Sequence, residues 1–219
     1  MTVERYFQQR ADKFDALYAD ENKLTYLLNR LFRRPMFLRA QLALDALVGL
    51  PSGFTVLDVG CGSGRNSILF AQAGAGKVVG VDFSERMLEL ARAFASSHEG
   101  GERCRFVCGN FLQSDDADRY DAVAALGVFD YVSDPVAFLR KMSQAARHVV
   151  IASFPGLSLV RMPLRKIRYA LRDCPVYFYR RKELDSIARA AGFTDYRLHP
   201  CGAYGSGYVL VARQPGPAR

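Results

Sequence analysis

Two acidic residues and a run of glycines lie where two hydrophobic segments end, and together they could bind a nucleoside. Residues 56–64 read VLDVGCGSG and residues 78–82 read VVGVD, so the acids are Asp58 and Asp82. The glycines at alternate positions are Gly60, Gly62 and Gly64. Glycine tolerates positive φ and leaves no side chain between backbone and ligand, whereas a carboxylate at a strand end can accept both hydroxyls of a ribose. The pattern predicts a pocket for a cofactor that contains adenosine.

The spacing of the glycines separates two classes of cofactor. The dinucleotide fingerprint is GxGxxG, suited to a pyrophosphate, but here the pattern is GxGxG preceded by Asp58. A carboxylate at that position repels a pyrophosphate and suits a ligand that carries an ammonium or sulfonium group. We therefore expect Asp58 to order the turn and to face a cation. The alternative is a structural carboxylate that binds the N–H groups of the loop.

Residues 56–64 resemble the first motif of the class I S-adenosylmethionine-dependent methyltransferases, which has the form (V/I)LD(V/I)GCGxG, and they match it throughout. The resemblance implies S-adenosylmethionine as cofactor, S-adenosylhomocysteine as product, and a seven-stranded sheet whose last strand is antiparallel. It also implies that Asp82 binds the ribose and that Phe83 packs on the adenine. Further cofactor-binding residues expected in this region are Asp58, Gly60, Cys61, Gly62, Gly64 and Met87. An ordinary tight turn in a Rossmann-like domain is the alternative.

A third motif reads VCGNF at residues 107–111. The family frequently has an acid after this glycine, accepting a hydrogen bond from the adenine amino group. Asn110 stands in its place here, and its amide oxygen can accept the same bond. Phe111 could stack on the ring. The alternative is a simple turn between a strand and a loop.

A fourth motif reads ALGVFDYVSDP at residues 125–135 and looks like the segment (C/A)xxxxEHVxDP of methyltransferases that act on quinone or porphyrin-like small molecules. Asp130 stands where Glu is usual and Tyr131 where His is usual. Tyrosine, with an unperturbed pKa of about 10, is a poorer base than histidine at neutral pH. Tyr131, the candidate catalytic residue, therefore either orients the acceptor or merely lines the pocket. Leu126 is expected to contact the cofactor.

Alternating strands and helices must position these residues. Hydrophobic runs predict strands at residues 56–59, 77–82, 105–107, 120–126, 148–153 and 208–213. Helices between them are expected to begin at Ser84 and at Asp134-Pro135, and to end at Gly74 and Gly192. This alternation predicts an α/β fold with a doubly wound, mostly parallel sheet.

Two further segments flank or interrupt this domain, which spans residues 51–213. Residues 1–50 predict a helical cap whose aromatic stripe includes Tyr6 and Tyr18, which we expect to reach the cofactor as this region does in similar enzymes. Packing of this stripe on the sheet edge is the alternative. Residues 214–219 predict a loose tail.

An insertion at residues 155–180 interleaves apolar and basic residues and is long for a connection in a compact domain. Such segments often serve as lids or substrate platforms. Its residues 157–172 could contact a membrane surface peripherally, and a solvated basic face is the alternative. Together with the basic run LNRLFRRP, it suggests an amphiphilic or anionic substrate.

Net charge and composition exclude fewer functions than the motifs do. The net charge of +8 is compatible with nucleic acid, anionic lipid or an acidic substrate, and equally with a basic proteome. The five cysteines show no zinc-binding spacing, so we expect no metal and reduced thiols in the cytoplasm. No run has the length and apolarity of a membrane span or a signal peptide.

The sequence thus predicts an enzyme that methylates a small molecule, with an oxygen of an aromatic, quinone-like or amphiphilic acid compound as the expected acceptor. Methyl transfer from an activated sulfonium needs mainly proximity and in-line alignment, so a strong base is optional. The alternatives are an RNA or protein methyltransferase, a non-catalytic S-adenosylmethionine-binding protein, and a nicotinamide oxidoreductase. The missing NPPY or DPPY sequence makes nucleic acid an unlikely partner, and the GxGxG spacing argues against the oxidoreductase.

Overall fold

Strands and helices alternate along the chain as the sequence predicts. A computed structural model describes residues 36–114, 118–157, 176–201 and 207–214. Its helices are α1 (36–47), α2 (Arg65–Gln72), α3 (Glu85–Ser96), α4 (Pro135–Ala145) and α5 (Arg181–Ala190). Its strands are β1 (Thr55–Val59), β2 (Lys77–Asp82), β3 (Cys104–Cys108), β4 (Tyr120–Ala125), β5 (Ala146–Pro155), β6 (Asp195–Pro200) and β7 (Gly207–Arg213).

The strands form one seven-stranded sheet in the order β3-β2-β1-β4-β5-β7-β6. All neighbours are parallel except for β7, which runs antiparallel to both β5 and β6. The predicted doubly wound sheet with an antiparallel last strand is confirmed. The strand order reverses between β1 and β4, and ligands of open α/β sheets bind in the crevice at such a switch point.

Helices cover both faces of the sheet, as a mostly parallel sheet requires. The face beneath α1, α2 and α3 buries Ala43, Leu47, Phe70, Val78, Leu88 and Phe106. The face beneath α4 and α5 buries Leu57, Val123, Phe138, Met142, Leu184 and Leu210. Because alternate residues of a strand point to opposite faces, Asp58 lies on the same face as Val56, beneath α2.

The predicted helix boundaries are confirmed by their caps. The Ser84 hydroxyl accepts a hydrogen bond from the Met87 N–H at the start of α3. The Asp134 carboxylate accepts bonds from two N–H groups in the first turn of α4, where Pro135 occupies the first position. These caps fix where α3 and α4 begin, and so where the preceding loops meet the carboxyl edge of the sheet.

Two strands differ from the sequence-based prediction. The strand predicted at 148–153 extends over Ala146–Pro155, because its ends pair with β4 and β7. The sequence-based prediction omits β6, whose alternation of Tyr196, Leu198 and Pro200 with polar residues spans only six positions, and only Leu198 is buried there. β6 is held instead by its backbone ladder to β7.

Several predicted segments lie outside the described residues: most of the cap, with Tyr6 and Tyr18, the insertion from 158 to 175, and the tail from 215 onward. The division into cap, domain and tail stays a prediction. Over the described ranges, no helix has the length and apolar character needed to cross a bilayer.

Candidate active site

The glycine turn follows β1 directly and forms the floor of the candidate site. Gly60, Gly62 and Gly64 have φ values of 66°, 54° and 76°, so all three occupy the left-handed region that disfavours side chains. A Cβ on Gly60 would also lie 2.5 Å from Cγ2 of Val128, which belongs to the loop after β4. Close approach of these two loops at the switch point therefore depends on glycine at position 60.

Asp58 is buried within the sheet and uses only one of its carboxylate oxygens. Its side chain is 1% exposed, and Oδ2 accepts a 2.6 Å hydrogen bond from the Ser67 hydroxyl on α2. Oδ1 is equally buried and has no hydrogen-bond partner among the residues that the structure describes. Burial raises the pKa of Asp58 to about 7, with the Ser67 hydrogen bond opposing the shift and the charge of Asp82 adding to it.

The orphaned oxygen of Asp58 is the test of whether this site suits a cationic ligand. A buried polar atom without a partner is costly, and a carboxylate oxygen is satisfied best by a charged donor. An ammonium or sulfonium group near Oδ1 would supply that charge, whereas a pyrophosphate would repel it. The residues present therefore fit a cofactor with a positively charged amino-acid end.

Asp82 ends β2 and turns its carboxylate towards the glycine turn. Oδ2 accepts a 2.9 Å bond from the Gly62 N–H, and Oδ1 accepts a 2.9 Å bond from the Ser84 N–H. Burial raises the pKa of Asp82, and these backbone hydrogen bonds oppose the shift. The Phe83 N–H contributes a third such bond. A carboxylate has about four lone-pair sites, so Asp82 can still accept a ribose hydroxyl.

Some residues next to the glycine turn border the candidate site, and others pack in the core. A Cβ on Gly62 would lie 3.1 Å from Cε of Met87, so Met87 borders the turn. Cys61 packs its side chain, 6% exposed, in the cluster beneath α3, and its backbone N–H donates to the Val81 carbonyl. Phe83 is half-buried directly after β2. The cofactor contacts predicted for these three residues stay predictions.

The segment after β3 contains the residues that are predicted to hold the adenine, and it forms a turn. The side-chain oxygen of Asn110 accepts a 3.0 Å bond from the Leu112 N–H, which is the simple turn considered as the alternative. One lone pair of that oxygen remains for an adenine amino group. Phe111 is 7% exposed and packs in the core with its ring centroid 5.2 Å from that of Phe138. Its predicted stacking on the adenine stays untested.

The loop after β4 carries the candidate catalytic residue, Tyr131, which is half-buried. The Tyr131 N–H donates a 2.9 Å bond to the Val128 carbonyl, so residues 128–131 form a tight turn. Leu126, at the end of β4, is 7% exposed and packs in the core beneath α1. Whether Tyr131 orients an acceptor or lines the pocket stays open.

Residues at the C-terminal end of the insertion hold this loop in place. The Tyr177 N–H donates to the Asp130 carbonyl, and the Tyr179 hydroxyl donates to the carbonyls of Phe129 and Val132 at 3.3 and 3.5 Å. The Tyr179 N–H also bonds the carbonyl of Pro155, which joins the two stems of the insertion. Both stems therefore lie beside the loop that carries Tyr131.

Sequence reasoning missed two residues of this region. Ser67 was not distinguishable from any other polar residue of α2, because nothing in its spacing indicates that it lies beneath β1. Arg39 of α1 lies over Gly127, two residues after β4, although the two are far apart in sequence. Within the described residues, no group of three or more side chains could hold a metal ion, and the predicted absence of a metal stays a prediction.

Comparison with known proteins identifies relatives of this arrangement. A family model described as a methyltransferase domain matches residues 56–148. The ubiquinone biosynthesis O-methyltransferase of Bordetella avium is 31% identical over 224 residues, which cover 94% of this chain and 86% of that protein. The protein of the same name from Leptothrix cholodnii is 34% identical over 105 residues, and this match spans 44% of its length.

Solved structures give the same picture. Magnesium protoporphyrin IX methyltransferase from Synechocystis PCC 6803, crystallised with bound S-adenosylhomocysteine, superposes with a TM-score of 0.78. It is 25% identical, and the match covers 97% of this chain and 98% of that one. The sheet, the helices on its two faces and the site at its carboxyl edge thus belong to a known architecture.

Proposed function

The chain belongs to the class I S-adenosylmethionine-dependent methyltransferases that act on small molecules, and from this premise we propose that its acceptor atom is an oxygen of an aromatic, quinone-like or amphiphilic acid compound. The observation that carries the proposal is the match over 94% of the chain to a protein named as a ubiquinone biosynthesis O-methyltransferase. The structural likeness to a protein named as a porphyrin methyltransferase supports a flat, conjugated acceptor.

The residues of the glycine turn and the two acids would hold the cofactor. Asp58 offers its unpaired Oδ1 to the positively charged amino-acid end, and Asp82 offers its remaining lone pairs to the ribose. Gly62 presents backbone without a side chain between these two acids. The bound cofactor supplies a methyl group that is already activated on a sulfonium. Because these contacts bind and orient, they contribute to the rate mainly through proximity.

The loop after β4 would hold the acceptor. Its carbonyls are tied to Tyr179, and its Val128 side chain contacts the position above Gly60, so the loop is positioned against the cofactor turn. Tyr131 on this loop would orient an acceptor hydroxyl or shield it from water. A hydroxyl on an aromatic ring is acidic enough to lose its proton without a strong base, which agrees with tyrosine in place of histidine.

Two measurements test the proposal. Isothermal titration with S-adenosylmethionine and S-adenosylhomocysteine should show binding to the parent protein, and binding should weaken in Asp82→Ala. Methyl transfer is then measured with an isotope-labelled cofactor against catechols, quinols and porphyrin carboxylates, alongside RNA and basic peptides. We expect an oxygen-methylated small molecule as the product.

The same assay distinguishes the rivals. Methylation of RNA or peptide in preference to every small molecule would reject the proposed acceptor class. Cofactor binding without transfer to any of these acceptors would favour a binding protein. A location in the cytoplasm is part of the same proposal.

A further inference from the structure

Lys141 of α4 contacts the turn that follows β3, where the adenine is predicted to bind. Its Nζ donates hydrogen bonds to the carbonyls of Leu112 and Ser114, at 3.0 and 2.5 Å. The same ammonium group lies 5.5 Å from the centre of the Phe111 ring. Phe138, against which that ring packs, lies on the same face of α4, because residues three apart are neighbours on a helix. Several contacts of one side chain therefore join α4 to this turn.

The turn is otherwise held mainly by its own hydrogen bonds. The N–H groups of Gln113 and Ser114 both donate to the Asn110 carbonyl, which closes one helical turn. Of residues 110–114, Phe111 alone is buried, whereas Asn110, Leu112 and Gln113 are exposed. Packing against the core thus attaches the turn through a single side chain. Because the last carbonyls of a helical turn have no partners within the turn, an ammonium group that binds them supplies a second attachment.

The hydrogen bonds of Lys141 lead to the residue of this turn that is expected to recognise adenine. Oδ1 of Asn110 accepts a 3.0 Å bond from the Leu112 N–H, and Lys141 binds the carbonyl of the same Leu112. Only the oxygen of an amide can accept from an N–H group, so this bond fixes which way the Asn110 amide faces. The Gly109 N–H donates to the Asp82 carbonyl, so the turn begins beside Asp82. A base attached to a ribose at Asp82 would therefore lie next to Asn110.

We propose that Lys141 is a positioning residue for adenine recognition. By binding the carbonyls of Leu112 and Ser114, it holds the turn in the conformation in which the Asn110 oxygen accepts a hydrogen bond from the adenine amino group. Lys141 acts through Leu112 and Asn110 rather than by contact with the cofactor. The inference rests on the cofactor part of the proposed function and does not depend on the methyl acceptor.

Two ligands that differ only at one edge of the base test this role. S-inosylhomocysteine carries an oxo group where S-adenosylhomocysteine carries the adenine amino group, and the ribose and amino-acid ends are the same. Dissociation constants for both ligands are measured by isothermal titration. The variants are Lys141→Met, which keeps the length but has no donor, and Lys141→Arg, which keeps the donors. Arg140→Met is the matched control, because the adjacent Arg140 also donates to a backbone carbonyl, that of Ala190 on α5.

The parent protein should bind S-adenosylhomocysteine about tenfold more tightly than S-inosylhomocysteine, since the fixed amide oxygen accepts from an amino group but is repelled by an oxo group. Lys141→Met should reduce this preference to less than about threefold, because a loosened turn lets the amide turn over and donate to the oxo group. Most of the change should be a loss of affinity for S-adenosylhomocysteine. Lys141→Arg should largely restore the preference, and Arg140→Met should retain it in full.

A double-variant cycle separates this role from general support of the fold. Asn110→Ala should abolish the preference by itself. In the Asn110→Ala background, Lys141→Met should then change the affinity for S-adenosylhomocysteine by less than about twofold, because Lys141 acts through Asn110. Thermal unfolding without ligand verifies that each variant is folded. If Lys141→Met is not folded, Lys141→Gln takes its place in the cycle.

The inference is overturned if Lys141→Met lowers the affinity for both ligands equally, or if its effect persists in full in the Asn110→Ala background. Either result would mean that Lys141 only stabilises the turn. Equal binding of the two ligands by the parent would also overturn it, because the adenine amino group would then have no fixed acceptor. These failures leave the proposed function intact, whereas absence of S-adenosylhomocysteine binding by the folded parent would reject the cofactor on which both proposals depend.

Discussion

The Ser67 hydroxyl donates a 2.6 Å hydrogen bond to Oδ2 of Asp58, and this bond divides the Asp58 carboxylate into two oxygens with different roles. Oδ2 ties β1 to α2 inside the sheet. Oδ1 has no partner within the described part of the chain. The structural role and the cation-facing role predicted for Asp58 are therefore compatible, because each can use a separate oxygen. The structural bond differs from the predicted one, since the donor is Ser67 rather than an N–H group of the loop.

Cofactor binding should strengthen as the pH rises towards neutrality. Burial raises the pKa of Asp58 to about 7 in the free protein, and a cationic ligand favours the ionised form, so binding must release the proton. Affinity for S-adenosylmethionine should increase about tenfold between about pH 5.5 and about pH 7 and then level off. The amino group of the cofactor remains protonated over this range. Isothermal titration in buffers with different ionisation enthalpies measures both affinity and proton release, and a flat profile contradicts the prediction.

The variants Asp58→Asn and Ser67→Ala give two further expectations for the same site. Asparagine cannot ionise, so Asp58→Asn should bind S-adenosylmethionine weakly at every pH and lose the slope. Because the raised pKa means that ionised Asp58 destabilises the free protein above about pH 7, the asparagine variant should also unfold at a higher temperature than the parent there. Ser67→Ala removes the hydrogen bond that opposes the shift, and it should move the binding profile to higher pH.

Replacement of Asp82 should weaken cofactor binding because two sets of hydrogen bonds are lost. Its oxygens accept bonds from the N–H groups of Gly62 and Ser84, and they are proposed to accept the ribose hydroxyls as well. Asp82→Ala should reduce affinity for S-adenosylhomocysteine by at least about tenfold, since each charge-assisted bond contributes about 1.5–3 kcal/mol. Asp82→Asn keeps the size of the side chain but offers one acceptor oxygen instead of two. Its affinity for S-adenosylhomocysteine should lie between those of the parent and of Asp82→Ala.

A matched control for Asp82 is Asp195→Ala, at the exposed start of β6. Thermal unfolding of each variant without ligand separates loss of fold from loss of binding. If Asp82→Ala binds as tightly as the parent while remaining folded, the ribose assignment is wrong.

Local sequence predicted that the glycine turn, Asp58 and Asp82 lie together, and it did not predict that Arg39 lies over Gly127; the difference has a physical reason. The glycine turn, Asp58 and Asp82 lie within one β-α-β unit, so their spacing alone brings them together. Arg39 meets Gly127 only because α1 packs across β4, and such a contact leaves no trace in spacing. Phe111 illustrates the same limit of local patterns: an aromatic residue after a strand can also pack against a distant helix, and here its ring contacts that of Phe138.

β6, which the sequence-based prediction omits, also depends on a contact between different elements of the fold. β6 alternates polar residues with Tyr196, Leu198 and Pro200 over only six positions, and only Leu198 is buried. Its place at the edge of the sheet is determined by backbone pairing with β7, which residue types do not reveal. In contrast, the caps at Ser84 and Asp134 were predictable, because a cap is a property of a few adjacent residues.

The glycine at position 60 should be indispensable, whereas the glycine after β3 should not. Gly60→Ala requires a side chain at φ 66°, and its Cβ would lie 2.5 Å from Cγ2 of Val128. We expect a loss of about 1–3 kcal/mol in the free energy of unfolding and loss of S-adenosylhomocysteine binding. Gly109→Ala is the matched control, because Gly109 has no positive φ and no atom within 4 Å of its Cβ position. Chemical denaturation and titration of both variants measure the difference, and equal behaviour would refute the proposed constraint.

Val128→Ala tells whether the contact or the backbone dominates this effect. The shorter side chain removes the clash with a Cβ on Gly60 but leaves the positive φ. If the double variant with Gly60→Ala and Val128→Ala regains the stability that Gly60→Ala loses, the close approach of the two loops is the constraint. If it does not, the left-handed backbone of the turn is the constraint.

Tyr179 should support turnover without contributing to cofactor affinity. Its hydroxyl donates to the carbonyls of Phe129 and Val132, on either side of Tyr131, while its ring packs edge-on against Phe154 with centroids 5.2 Å apart. Tyr179→Phe keeps the ring and removes both bonds, which are long, so the free energy of unfolding should fall by no more than about 1 kcal/mol. The loop that carries Tyr131 would then be held less firmly over the acceptor. We expect kcat to fall several-fold with an unchanged dissociation constant for S-adenosylhomocysteine, because alignment of the acceptor sets the rate of an in-line transfer.

Tyr196→Phe is the matched control, since its hydroxyl bonds Asp185 away from the site. Equal kcat values for the two variants would show that the hydroxyl of Tyr179 serves stability alone.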